Sequence, residues 1–209
     1  MKKTILTLAS VCMALSSAFA GDAPSVITLP SPDKTGGKPL MEVLTARKTE
    51  RQFKPDAPIK PQDLSNLLYA AWGINRPDGR RTVPTAMNRQ DIDVYVLFPS
   101  GVYRYDAKNN ALVLWREGDL RGMAFMRPEL PLSAALVLVY TGRKIDGKTS
   151  PFTPSHAGSA YQNVYLYCAS AGLASVVCAG FNHKAMTEKM DLPDDCYVLF
   201  THCIGYPAE

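Results

Sequence analysis

The sequence predicts an α+β fold in which helices flank a mixed central β-sheet. Three observations carry that prediction. Leu64, Leu67, Leu68, Ala71 and Trp72 recur at the i, i+3, i+4, i+7, i+8 spacing of an amphipathic helix, and His156 to Ala171 forms a second long segment rich in Ala and Tyr. Short apolar runs bounded by turn residues read as strands. Their order, two helices, then strands, then helix, strand, helix, strand, is an α+β order.

Taken from the N-terminus, residues 1–20 read as a leader. Lys2 and Lys3 precede an apolar run from Ile5 to Leu15, and Ala18-Phe19-Ala20 supplies a small-x-small cleavage pattern before Gly21. The sequence therefore predicts export, cleavage after Ala20, and a periplasmic or secreted location. The run is short for a membrane span, and no Cys follows it to carry a lipid anchor. Residues 21–38, rich in Pro, Gly and Ser, read as an extended arm, and residues 39–209 as one folded domain.

Within the domain, Pro39 to Ala46 reads as a short helix and Lys60-Pro61-Gln62-Asp63 opens the clearest one, stopped by Gly73. Arg76 to Arg89 is a polar loop long enough to require a purpose. Strands follow at Ile92 to Phe98, Val102 to Tyr105 and Ala111 to Trp115, then a segment broken by Pro128 and Pro131 with helical character around Leu120 to Phe125. Ala134 to Tyr140 is a continuous apolar run, the pattern of a strand buried on both faces. Gly142 to Ser155 reads as a loop and His156 to Ala171 as a core helix whose tyrosines face the interior. Ser175 to Cys178, Asn182 to Met190 and Tyr197 to Ile204 complete the chain as strand, helix and strand.

Composition excludes several functions. Loss of the leader leaves 21 Lys and Arg against 19 Asp and Glu, dispersed along the chain, which is not the one-sided basic stripe that nucleic acid requires. His156, His183 and His202 lie far apart, without zinc-ligand spacing relative to the cysteines, so no metal site is predicted. Cys12 leaves with the leader. Cys168, Cys178, Cys196 and Cys203 stand in apolar segments and read as buried thiols, with one disulfide as the alternative. A thiol-redox role for Cys196 and Cys203 is disfavoured, because seven residues along one strand places them on opposite faces.

The functional signal begins at Arg47-Lys48-Thr49-Glu50-Arg51-Gln52-Phe53. As extended chain it sets Arg47, Thr49 and Arg51 on one face, a row of donors roughly 13 Å long that suits an elongated anion better than a lone phosphate.

That stretch resembles the Arg-Arg-Ser-x-Arg-x-Phe entry of the FMN-dependent nitroreductase family. Pro84-Thr85-Ala86-Met87-Asn88-Arg89-Gln90 is similar to the family's Pro-Ser-Ala-Gly-Asn-x-Gln. So are Gly158, Gln162-Asn163, Ala171-Gly172-Leu173-Ala174-Ser175, Ala179-Gly180-Phe181 and Ile204-Gly205-Tyr206-Pro207 to its later motifs. Gly101-Val102-Tyr103-Arg104-Tyr105-Asp106 resembles the smaller thiazoline-oxidase-like branch (SagB-type). The match covers nearly all of the chain after the leader.

The resemblance implies a dimeric nitroreductase-like fold binding FMN. Arg47 and Thr49 take the place of donors to the phosphate and ribityl chain, Lys48 stands where Arg is common, and Arg51 would reach the pyrimidine side of the ring. Thr85, Ala86 and Asn88 would approach a flavin held mainly by the partner subunit of a homodimer. Met87 replaces the family's Gly, the residue that permits close backbone approach. Ala179 and Gly180 match the loop whose backbone N–H faces flavin N5. Many members carry basic residues after the last strand; here Pro207-Ala208-Glu209 stands there, leaving Arg80, Arg81 and Arg89 as other sources of charge. The implied activity is hydride or electron transfer through N5 to or from a small organic substrate, with no catalytic side chain assigned. The alternative is a secreted, non-enzymatic binding protein that keeps the fold without FMN.

Overall fold

In a computed structural model, which describes residues 13–18 and 23–208, the chain forms one seven-stranded sheet in the order β1-β4-β3-β2-β5-β7-β6. The strands are β1 (Val26–Thr28), β2 (Ile92–Leu97), β3 (Gly101–Asp106), β4 (Ala111–Glu117), β5 (Leu136–Arg143), β6 (Ala174–Cys178) and β7 (Cys196–Gly205). Every neighbouring pair is antiparallel, which corrects the expectation of a mixed sheet. The apolar run of β5 is buried on both faces because material packs on each side of the sheet, and such burial does not require parallel neighbours.

One face carries α2 (Pro61–Trp72) and α4 (Thr153–Ala171), packed on Val94, Val96, Leu136, Leu138 and Tyr140. The other face buries Tyr95, Val137, Val139, Val176 and Cys203 under Phe53, Leu120, Ala124, Met186 and Met190. Shorter helices lie at α1 (Leu40–Ala46), α3 (Glu129–Ser133) and α5 (His183–Lys189), with single 3-10 turns at Ala86–Asn88 and Arg121–Met123. The arm at 21–38 is not wholly irregular: β1 pairs with β4, Val26 against Val113.

Helix α2 is bounded as its residues dictate, with Pro61 in the first turn and the Gly73 N–H closing on Tyr69 O at 2.8 Å. Helix α4 begins one turn earlier than expected, at Thr153. Pro154 is tolerated there because first-turn N–H groups have no intrahelical partner. It ends at Gly172, whose φ of 71° is left-handed, and a Cβ at this position meets nothing within 4 Å. Gly172→Ala is therefore expected to lose only the backbone preference, about 1 kcal/mol in a urea denaturation series, without a packing penalty.

Residues 13–18, assigned to the leader, are helical, with Leu15 and Ala18 buried and Ala18 O accepting from Ser100 N–H at 3.2 Å. The cleavage position after Ala20 lies outside the described residues. No described helix is long and apolar enough to cross a membrane.

The four cysteines after the leader are free and buried, as expected. Burial pushes the Cys168 thiol up to about 12. Cys178 on β6 and Cys203 on β7 share a hydrogen bond, which pulls the Cys178 thiol down and pushes that of Cys203 up. A bulge corrects the reading of Cys196 and Cys203. The register slips between Tyr140 and Thr141, which pair with Phe200 and Val198, so the extra residue Leu199 returns both cysteines to one face. They remain seven residues apart along the strand, too far to bond. A thiol reagent is expected to react slowly with the native protein and with all four cysteines after unfolding; rapid native labelling would contradict their burial.

Candidate cofactor site

The donor row is built where α1 ends. Arg47 N–H closes the helix on Val43 O at 2.9 Å, and its own φ of −58° and ψ of 120° turn the chain into extended backbone. That extended segment is tied down by Glu50 N–H to Ser175 O (3.0 Å), by Lys54 N–H to Tyr206 O (2.9 Å) and by a bridge from Phe53 to Pro207. It therefore runs beside β6, the edge strand of the sheet.

Alternation then sorts the side chains. Arg47 lies over the Tyr165 ring at 5.4 Å, and Thr49 Oγ1 is 3.4 Å from Tyr165 Oη. Tyr165 Oη also accepts from Val177 N–H at 2.8 Å, so one phenol ties the Thr49 side chain to the outer edge of β6, with either hydroxyl able to donate in the Thr49 contact. Lys48 and Glu50 point the other way and pair with each other at 3.0 Å. Glu50 also accepts from the N–H groups of Arg51 and Gln52, and the Lys48 bond followed by these two holds its carboxyl below the usual range. Among the described residues, neither Arg47 nor Arg51 has a carboxylate at ion-pair distance. The Arg51 charge reaches Cys178, which places this end of the row near the last residue of β6.

Ala179 and Gly180 follow directly. On an edge strand successive N–H groups alternate between the neighbouring strand and open space. Ser175 O and Val177 N–H face outward, toward Glu50 and Tyr165, and Ala179 follows directly after the last residue of the strand. Neither Ala179 nor Gly180 N–H has an acceptor among the described residues. Beside them lies a concavity of about 490 Å³ lined by Met123, Phe125, Met126, Gly180, Phe181 and Asn182. A Cβ on Gly180 would stand 2.7 Å from Met126 Cε, so glycine is what lets that side chain lie against the backbone.

The Thr85–Asn88 turn lies elsewhere. It is anchored near the start of α4, where Ala86 N–H donates to His156 Nε2 at 2.8 Å, whereas the donor row meets α4 at Tyr165. Nine residues of helix separate those anchors by roughly 13 Å. One chain thus joins Arg47, Thr49, Arg51, Ala179 and Gly180, and leaves Thr85, Ala86, Met87 and Asn88 apart. Met87 adopts φ 52° and ψ 27°, the left-handed conformation that its family counterpart Gly takes without strain, and its side chain is 73% exposed. The backbone of the turn therefore survives the substitution. Of the alternative cations, Arg80 pairs with Asp78. Arg81 stacks on Trp72 and donates to Gln90 and to Trp72 O, while Arg89 lies at the turn, 3.4 Å from Ser150 Oγ.

Sequence reading missed Tyr165, Asp91 and His156. Tyr165 was visible only as one aromatic of a core helix, and Asp91 and His156 are 65 positions apart with no motif linking them.

The chain is an α+β protein with one antiparallel sheet, and guanidinium, hydroxyl and backbone amide donors lie along one edge of it. The chain belongs to the nitroreductase family, whose model matches residues 44–206. A crystal structure of a nitroreductase-family protein from Ralstonia eutropha is similar at 39% identity, covering 89% of this chain and 91% of that one, with a TM-score of 0.80. A nitroreductase relative from Methanocaldococcus jannaschii is 25% identical over 185 residues, 81% of this chain and 92% of its own. The fold is also shared with a Desulfovibrio desulfuricans nitroreductase crystallised with FMN, at 16% identity and a TM-score of 0.61, over 83% of this chain and 89% of that one.

Proposed function

We propose that this chain is an exported, homodimeric, FMN-dependent oxidoreductase of the thiazoline-oxidase-like branch. The observation that carries the cofactor is the Ala179 N–H, which has no acceptor among the described residues and follows β6 beside the Arg47, Thr49 and Arg51 row. These donors are open to solvent, so a ligand can replace water on them without rearranging the chain. The FMN-bound relative supports the same cofactor.

Each residue then has a task. Arg47 and Thr49 bind the phosphate and ribityl chain, with Tyr165 orienting both. Arg51 holds positive charge at the pyrimidine side, and the Ala179 amide donates at the N5 edge. Bound FMN supplies hydride and single-electron chemistry at N5, which requires no side-chain nucleophile. Met123, Phe125, Met126 and Phe181 give the surface beside the amide an apolar character that favours a flat, apolar reaction partner. Lys48, engaged by Glu50, adds charge without direct contact.

The homodimer rests on the family resemblance, under which a second subunit brings its Thr85–Asn88 turn to the donor row; the separation of the two along α4 is compatible with that arrangement. Export rests on the leader motif. Outside the cytoplasm nicotinamide donors are scarce, so a quinol, another flavoprotein or the substrate itself is the electron source.

An absorption spectrum of the purified protein with and without added FMN, followed by gel filtration, tests this directly. A flavin band comigrating with a dimer is the expected result. A colourless protein that takes up no FMN would overturn it and leave the secreted binding protein as the reading.

A further inference from the structure

Asp91, immediately before β2, and His156, in the first turns of α4, are both buried. Asp91 Oδ1 lies 2.6 Å from His156 Nδ1, and Asp91 Oδ2 accepts from Thr153 Oγ1 at 2.6 Å. The other ring nitrogen, Nε2, lies 2.8 Å from the backbone nitrogen of Ala86. A backbone N–H can only donate. Nε2 must therefore present a lone pair, and the single ring proton sits on Nδ1, where the carboxylate accepts it.

What this ring holds is a turn that local preference opposes. Met87 and Asn88 have φ of 52° and Gln90 has 47°, a conformation that costs on the order of 1 kcal/mol for each residue with a side chain. Other tethers hold its far end: Arg81 Nε to Gln90 Oε1 at 2.8 Å, Gln90 N–H to Thr85 Oγ1 at 3.2 Å and Arg89 Nη1 to Ser150 Oγ at 3.4 Å, whereas the His156 bond holds the Ala86 amide.

We propose that His156 is the positioning residue of the Thr85–Asn88 turn: the imidazole held by Asp91 and Thr153 fixes the Ala86 amide. The consequence for cofactor binding rests on the FMN reading above, under which this turn serves the flavin of the other subunit; the clamp itself does not.

Hydrogen exchange of the Ala86 amide, followed by NMR on the full chain and corrected for intrinsic exchange, tests the clamp without any flavin. Protection is expected to be about tenfold higher in the wild type than in His156→Leu, the worth of one such bond. His156→Gln places an amide oxygen near the position of Nε2 and should keep most of the protection, and FMN affinity of the three proteins should follow the same ranking. A His156→Leu chain as protected as wild type, or a His156→Gln chain no better protected than His156→Leu, overturns the proposal. Should His156→Leu not fold, His156→Asn, whose side chain is too short to reach Ala86, takes its place. Protection that behaves as expected in a protein that takes up no FMN would sustain the clamp and sink the flavin reading.

Discussion

An Arg51→Ala variant is expected to bind FMN about 10- to 150-fold more weakly than the wild type while unfolding at an unchanged denaturant midpoint. The first half follows from the worth of a charge-assisted hydrogen bond, about 1.5–3 kcal/mol, converted at about 1.4 kcal/mol per factor of ten. The second half follows from the surroundings of Arg51: the side chain is exposed and, among the described residues, has no ion-pair partner, so its removal leaves nothing unsatisfied. The reduction potential of the flavin that remains bound should also fall, because a fixed guanidinium favours the negatively charged reduced ring over the neutral oxidised one. Arg51→Lys keeps the charge and loses the fork, and is expected to lie between the two. Fluorescence titration with FMN and a redox titration measure both quantities. Equal affinity and equal potential in Arg51→Ala would remove Arg51 from the site, and a lowered midpoint would recast it as a structural residue.

The elements that could be read from sequence are those whose residues carry the whole instruction. Helix α2 announces itself through five apolar positions at helical spacing, an early Pro61 and a terminal Gly73, and the structure bounds it within a residue of that reading. Strand β5 was equally plain as an apolar run. What the run could not disclose was the direction of its neighbours, because burial on two faces looks the same in parallel and antiparallel surroundings. The bulge at Leu199 was hidden for a related reason: period-2 alternation assumes an unbroken ladder, and one unpaired residue reverses every later assignment on β7.

Alternation worked well over the short span of Arg47 to Arg51, where the chain is extended and no bulge intervenes. It separated Arg47 and Thr49 from Lys48 as the structure does, even though a motif-level reading groups all four donors. The amide at Ala179 was implied only by the family resemblance and not by the residues themselves, since its place beside the donor row depends on contacts of β6 with distant parts of the chain. Met87 shows the limit from the other side. The substitution of a glycine position was evident in the sequence, yet its conformation depends on tethers to Ser150 and His156 that lie far along the chain.

Those tethers depend in turn on Asp91, and Asp91→Ala is expected to destabilise the folded protein by about 3 kcal/mol. The substitution takes away a buried acceptor that serves two donors at once, the His156 Nδ1–H and the Thr153 hydroxyl, each at 2.6 Å. Leaving a buried donor unsatisfied costs about 1–3 kcal/mol, and neither donor can reach bulk water from its position. The imidazole has one further option, to turn and seek a new partner, but this gives up the Ala86 bond as well. Hydrophobic burial cannot compensate, because alanine leaves a gap where the carboxylate stood. For a domain of this size the loss corresponds to a fall of roughly 6–12 °C in the midpoint of thermal unfolding. Asp91→Asn retains one acceptor and offers the Thr153 oxygen a donor, so it should recover most of the difference. Differential scanning calorimetry of the three proteins measures this, and an Asp91→Ala midpoint within a degree or so of wild type would mean that the network contributes nothing to the stability of the fold.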